Sequence, residues 1–348
     1  DIEPTESDVY FDDLTYVTVA EPSAALAAEA DSGAFGNVIF EQEPWQLRVT
    51  LTNRRADAAL VAPVVLTATD ARGREVATTR ADINIEPGRR TTLTLKAQGD
   101  ARGLLMVKAF SGDTLLYEGR LAVLPGAHEL QPIQNPFFGV CTHFAQGKHT
   151  IPETLQLLRR SGVEFLRDEL YWSAIEQQAG QFVFPERFDA YMKAAAEAGI
   201  QPLIVTTYSN DLYDEGQAPH TDEGRAAYAR YVTELIKRYG TICHRWEVWN
   251  EPNIGFWRGR KPDPGEYFEL LKTTYEAVKK VDPGATVVGV CTAGTDFKFI
   301  QGVLERGGGR YMDDLSTHPY RYPRSPEASR FVEELRRTYA LMEQHGMG

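Results

Sequence analysis

The chain has 348 residues, more than one ordinary domain, so two are expected. With 43% hydrophobic and 25% charged residues it has the composition of a folded protein with sizeable cores. A formal charge of −12 argues against nucleic acid and anionic membrane surfaces as partners, and favours a neutral ligand over a polyanion.

No apolar run approaches the ~18–20 residues that a membrane span needs. The opening "DIEPTESDVY" lacks an initiator Met, a basic n-region and an apolar h-region. It reads as a mature or trimmed form, consistent with an extracellular or periplasmic location. Cys141, Cys243 and Cys291 are odd in number, outside any CxxC and set in apolar runs, so all three are expected as buried free thiols.

In chain order, residues 1–36, with the Ala-rich "SAALAAEADSGAFG", fit no single element. From 37 to about 124 the pattern is one of short strands. "WQLRVTLTN" alternates Trp45, Leu47, Val49 and Leu51 with polar partners, the period of a half-buried strand. Turns at "ARGRE" and "IEPGRR" separate it from "VAPVVLTATD", "TTLTLKA", "GLLMVKAF" and "TLLYEGRLAVL". Strands about ten residues apart without intervening helices predict an antiparallel β-sandwich over residues 1–130. "LPGAHELQPIQNP" (124–136), with three prolines and no period, reads as a linker.

Beyond it, residues 131–348 change texture. Apolar runs at 137–143, 163–170, 201–209, 244–253, 286–294 and 313–320 alternate with amphipathic helical stretches that open on Pro or Asp and close on Gly. Continuous apolar strands between helices predict a parallel sheet with a covered outer face, and six such units point to a (β/α)8 TIM barrel. Eight strands would need two more units, so the chain is expected to stop just before a seventh strand.

Barrel chemistry collects where strands end. The first strand ends in Thr142 and His143. The second carries Arg167, Asp168 and Glu169, then Tyr171 and Trp172. The third ends in Tyr208, Ser209 and Asn210, the fourth in Asn250 and Glu251, and the sixth in His318 and Tyr320. Hydroxyl-binding groups beside aromatic faces suit a sugar, with Trp172, Tyr208, Tyr213, Trp257 and Tyr322 as stacking candidates. Strict alternation puts Glu247, Trp249 and Glu251 on one face and Asn250 on the other. Both Asn250 and Glu251 reach one pocket only if the strand bends, and Pro252 marks the place for it.

"RWEVWNEPN" (245–253) resembles the Asn-Glu-Pro signature of clan A glycoside hydrolases, the retaining (β/α)8 enzymes. Arg167, His318–Pro319–Tyr320 and "RDELYWSAIEQQAGQFVF" extend the resemblance, most closely toward family 39 and also toward family 5-type sequences. The resemblance implies a retaining enzyme acting on an oligo- or polysaccharide without a cofactor. Glu251 would be its general acid/base and Asn250 the ligand of the sugar 2-hydroxyl. Arg167, His318 and Tyr320 would support the nucleophile's side.

The nucleophile implied is a Glu ending a seventh strand, downstream of Gly348. Asp313 and Asp314 open the sixth strand, at the barrel's other end. Glu169, close to Arg167, is expected in a structural salt bridge. The alternative is an inactive carbohydrate-binding or scaffold protein on a degenerate barrel. His143 beside Cys141 lacks a third orienting group for a thiol nucleophile, and "ERGGGR" (305–310) lacks the strand and Lys-Ser/Thr of a phosphate loop. No zinc-binding or serine-hydrolase motif appears.

Overall fold

The computed structural model describes residues 25–40, 46–96, 102–124 and 137–347. Trp45, residues 1–24 of the N-terminal stretch and 125–136 of the expected linker lie outside these. The described residues divide into two compact units, one from residues before 125 together with 156–161, the other from 137–155 and 162–347.

The first unit holds β1 (Leu26–Asp31), β2 (Val38–Phe40), β3 (Gln46–Asn53), β4 (Leu60–Thr69), β5 (Glu75–Ile85), β6 (Arg90–Lys96), β7 (Gly103–Ser111) and β8 (Thr114–Leu124). They form a three-stranded sheet, β1-β3-β6, and a five-stranded sheet, β2-β8-β7-β4-β5. Pairings are antiparallel except that β2 lies parallel to β8. In β3 Leu47, Val49 and Leu51 are buried while Gln46 and Arg48 are exposed, as a period of two demands. Those three join Leu66, Leu105, Val107 and Leu121 of the other sheet in one buried cluster. Each such side chain contributes about 1.5–3 kcal/mol on leaving water.

The second unit alternates strands and helices, α1 being assigned to it only up to Leu155: β9 (Gly139–Cys141), α1 (Ile151–Arg160), β10 (Phe165–Tyr171), α2 (Trp172–Ile175), α3 (Glu186–Glu197), β11 (Gln201–Thr207), α4 (Asp222–Tyr239), β12 (Arg245–Val248), α5 (Pro264–Val281), β13 (Thr286–Ala293), α6 (Phe297–Leu304), β14 (Asp314–His318) and α7 (Phe331–Gln344). The six strands pair in chain order, every pair parallel, with β9 and β14 at the edges. This is the arrangement of a partial TIM barrel.

Helix starts follow local chemistry. Asp263 caps α5 by accepting from the amides of Gly265 and Glu266, and Pro264 fills the first turn. Thr221 caps α4 by accepting from Gly224 at 3.0 Å. The short α6, capped by Asp296, is not visible in the sequence pattern. "ERGGGR" forms a turn and one 3₁₀ turn behind it. At the strand starts, Arg245 pairs with Asp314 (2.5 Å) and Lys279 with Asp313 (2.9 Å), away from the strand ends that carry the site.

Candidate active site

Alternation along β10 buries Leu166, Asp168 and Leu170 on one face and turns Arg167, Glu169 and Tyr171 to the other. Arg167 grips Glu247 of β12 with two bonds, Nε to Oε2 at 3.1 Å and Nη2 to Oε1 at 2.5 Å. Its Nη2 also donates to Oδ1 of Asn250 at 2.8 Å. Glu247 is sealed from solvent. Burial alone would raise its pKa, but the nearby His318 ring and the hydrogen bonds from Arg167 outweigh that and hold it below the usual value. Burial likewise opposes the Arg167 charge, and the bond to Glu247 prevails and raises its pKa.

The expected bend at the end of β12 is present and begins before Pro252. Trp249 (φ 67°) and Glu251 (φ 49°) both take left-handed backbone, which costs non-glycine residues roughly 1–2 kcal/mol each. The turn separates two neighbours. Asn250 faces Arg167 and donates through Nδ2 to the Tyr208 hydroxyl at 3.1 Å. Glu251 turns to β14, where its Oε1 lies 2.9 Å from Nδ1 of His318.

Two contacts hold the turn. A register shift in β13 near Val290–Cys291 presents the Cys291 carbonyl to the Glu251 amide at 2.9 Å. Asn253 donates to the Ala293 carbonyl and accepts from the Ala293 amide, pinning the chain after Pro252 to the end of β13.

Glu251 is 9% exposed. Nε2 of His318 lies 3.6 Å from Glu247, so the imidazole stands between two carboxylates. Burial disfavours its charge, yet the contacts to Glu247 and Glu251 leave its pKa raised. An open cavity of about 260 Å³ is lined by Cys141, Arg167, His318, Pro319 and Tyr320. Tyr320 is 83% exposed. Tyr208 stacks on Phe256 at 5.7 Å, with the Arg258 guanidinium 4.7 Å from its ring centre, and burial pushes its hydroxyl up to about 12. Phe256, an exposed aromatic beside Tyr208, is a stacking surface that the sequence pattern did not single out.

Several expected residues stand elsewhere. Trp172 and Trp257 are each 1% exposed, so neither offers a sugar a face. Trp172 lies between Tyr213 and Tyr231 and donates to Glu176 at 2.5 Å. Trp257 packs on Trp249 and donates to Glu266. Thr142 donates to Asp168, and Asn210 to the Glu176 carbonyl, both buried bonds of the scaffold.

Tyr322 is exposed and Ser209 buried. Cys243 and Cys291 are buried, but Cys141, on an edge strand, is exposed. Arg167 pairs with Glu247, not with Glu169. Besides Phe256, the residues missed by sequence reasoning are Glu247 and Asn253. A charged residue inside the apolar "RWEVW", on the face that Arg167 shares, was the available signal for Glu247. Among the described residues no cluster of three or more His, Cys, Asp or Glu is placed to hold a metal.

The family model described as "Glycosyl hydrolases family 39" matches residues 186–340. A β-xylosidase of Geobacillus stearothermophilus is 38% identical over 95 residues, 26% of this chain and 18% of that protein. A β-xylosidase of Caldicellulosiruptor saccharolyticus is 47% identical over 64 residues, 17% of this chain and 12% of that protein. In fold, the chain resembles a family 39 glycoside hydrolase from Bacteroides cellulosilyticus WH2, with a TM-score of 0.60 and 25% identity. That match covers 83% of this chain and 57% of the other, so the chain spans little more than half of that structure and under a fifth of the curated relatives. Sequence and fold agree in direction: the chain is similar to family 39 glycoside hydrolases.

Proposed function

We propose that the whole protein is a retaining glycoside hydrolase cleaving β-glycosidic bonds in an oligo- or polysaccharide, with Glu251 as general acid/base. One observation carries this reading. At the ends of the barrel strands Glu251 is nearly buried against His318, while its neighbour Asn250 is held by Arg167 and Tyr208. A hydrogen on Nδ1 of His318 donates to Oε1 of Glu251 and leaves Oε2 to carry the proton the reaction moves. Asn250, fixed by two partners, is ready to bind the sugar 2-hydroxyl.

Glu251 protonates the glycosidic oxygen as its bond to the anomeric carbon breaks, and the aglycone departs as an alcohol. A second carboxylate attacks that carbon and forms a glycosyl ester. Glu251 then takes a proton from water, whose oxygen displaces the carboxylate and releases the sugar with its configuration retained. The nucleophile is proposed as a Glu at the end of a seventh strand, downstream of Gly348, with its carboxyl ~5–5.5 Å from that of Glu251. On this reading the six parallel strands are six of eight, and the two N-terminal sheets are a β-sandwich accessory domain. Two relatives are named β-xylosidases, so β-xylosides are the first substrates to try.

The test uses the full-length protein on nitrophenyl β-glycosides, with the product anomer followed by NMR. Glu251→Gln is expected to lower kcat/KM by about 10²–10⁴, and less with a dinitrophenol leaving group, which needs no proton. Wild-type turnover in that variant would remove Glu251 from the role. Sugar binding without hydrolysis of any glycoside would point to the carbohydrate-binding alternative.

A further inference from the structure

Three polar side chains of β10 share the face that carries the site, and two are fully engaged. Arg167 holds Glu247 and Asn250, and the Tyr171 hydroxyl accepts from Nε2 of Gln146 at 3.0 Å. Glu169, between them, is not engaged. Among the described residues its buried Oε2 has no hydrogen-bond partner, and Nδ1 of His143 stands 3.5 Å away. Burial, and then the adjacent Asp168 charge, push this carboxyl up to about 7. Asp168 itself is fully used, accepting from Thr142 Oγ1 and from the amides of Phe144 and Glu169. A partly buried carboxyl without a donor is an expensive residue for packing alone, where a leucine would carry no such penalty.

Its neighbour completes the arrangement. Nδ1 of His143 lies 3.1 Å from Nε2 of Gln146, whose amide donates, so the ring hydrogen falls on Nε2. The His143 side chain is 42% exposed and that of Glu169 14%, so the ring and the part of Glu169 other than Oε2 can be reached from outside. Burial first lowers the imidazole pKa, which keeps the ring neutral near pH 7.

We propose that Glu169 is a specificity-determining residue that with His143 forms a hydroxyl-binding pair. The carboxyl accepts from one hydroxyl of a neutral sugar and Nε2–H of His143 donates to the next. The pair is built on the ends of β9 and β10, while Asn250 and Glu251 follow β12, so it reads hydroxyls away from the bond being cleaved. This inference rests on the glycosidase reading above.

The experiment compares the full-length wild type with Glu169→Ala and Glu169→Gln on a parent nitrophenyl β-glycoside and its monodeoxy analogues. The parent measured with wild type tests the glycosidase reading alone. For the pair, wild type is expected to lose about 10–100-fold in kcat/KM on one deoxy analogue. Glu169→Ala should lose a similar factor on the parent and no longer distinguish the two. Glu169→Gln, which keeps one acceptor, should recover part of the discrimination.

If wild type turns nothing over, the same series is read by calorimetric titration of the free sugars, with the same expected pattern in affinity. An equal fall for parent and every deoxy analogue in Glu169→Ala overturns the inference. Failure of both variants to fold does the same, since it would make Glu169 a structural residue.

Discussion

Arg167 and Glu247, eighty residues apart in the chain, meet as a two-pronged ion pair in which the carboxylate is sealed from water and the guanidinium keeps one arm for Asn250. The pair therefore does two things. It neutralises a buried charge, and it fixes the carboxamide that follows β12. The same contact ties β10 to β12 across β11.

Removing one partner strands the other. Arg167→Met is expected to destabilise the barrel by about 3–5 kcal/mol, because Glu247 is left charged and buried. Arg167→Met with Glu247→Met should recover most of that loss, since two apolar side chains need no solvation. Denaturant titration of the single and double variants measures it. A double variant no more stable than the single would show that the pair is not the source of the cost.

His318 supplies a pH dependence whose sign follows from its two carboxylate neighbours. Burial opposes its charge, but the nearby Glu247 carboxylate and the bond to Glu251 prevail and set its folded pKa above the unfolded value near 6.5. Its contribution to stability is full below about pH 6.5 and disappears as the pH rises through the folded value. His318→Gln should remove that slope. The difference in melting temperature between wild type and variant is expected to be largest near pH 5.5 and to shrink toward pH 9. A constant difference would mean that His318 packs as a neutral ring.

The barrel strands were legible because their apolar runs and cap residues are local signals, and the strand-end polar set followed from them. What could not be read depends on residues distant in the chain. Alternation alone opposes Asn250 to Glu251, and the left-handed Trp249 that changes their directions is held by Phe256, Tyr228 and Trp257. Trp172 and Trp257 look like sugar platforms from their places in the chain. Tyr213 and Tyr231, some forty and sixty residues on, cover Trp172, and no local pattern announces that. Composition placed Cys141 in the interior, but it lies on the edge strand β9. Glu169 looked like the natural partner of Arg167 by proximity in sequence, whereas the register of β10, β11 and β12 delivers Glu247 instead.

The three thiols should react at different rates. Burial pushes Cys243 up to about 12 and raises Cys291 as well, so neither offers a thiolate or a path to one at neutral pH. Cys141 is exposed and lines the cavity with Arg167 and His318. A maleimide is expected to label Cys141 in the native 348-residue chain, with Cys243 and Cys291 labelled only after denaturant is added. Peptide mass mapping reads the sites. Native labelling of Cys243 or Cys291 ahead of Cys141 would contradict the burial described.

Glu169 gives the opposite test to the stabilising pairs, because as it stands its charge weakens the fold. Its pKa, pushed from 4.5 up to about 7 by burial and then by Asp168, means that the folded chain holds this proton more tightly than the unfolded chain does. Stability is therefore highest below about pH 4.5 with respect to this group, and falls as the pH rises through 7. The loss is of order 3 kcal/mol once the carboxyl is ionised. Glu169→Gln keeps the shape and cannot ionise, so it should match wild type near pH 5 and be the more stable protein at pH 8. Thermal melts of both proteins across that range measure the crossover. A variant no more stable than wild type at pH 8 would show that the Glu169 carboxylate has a partner in the fold.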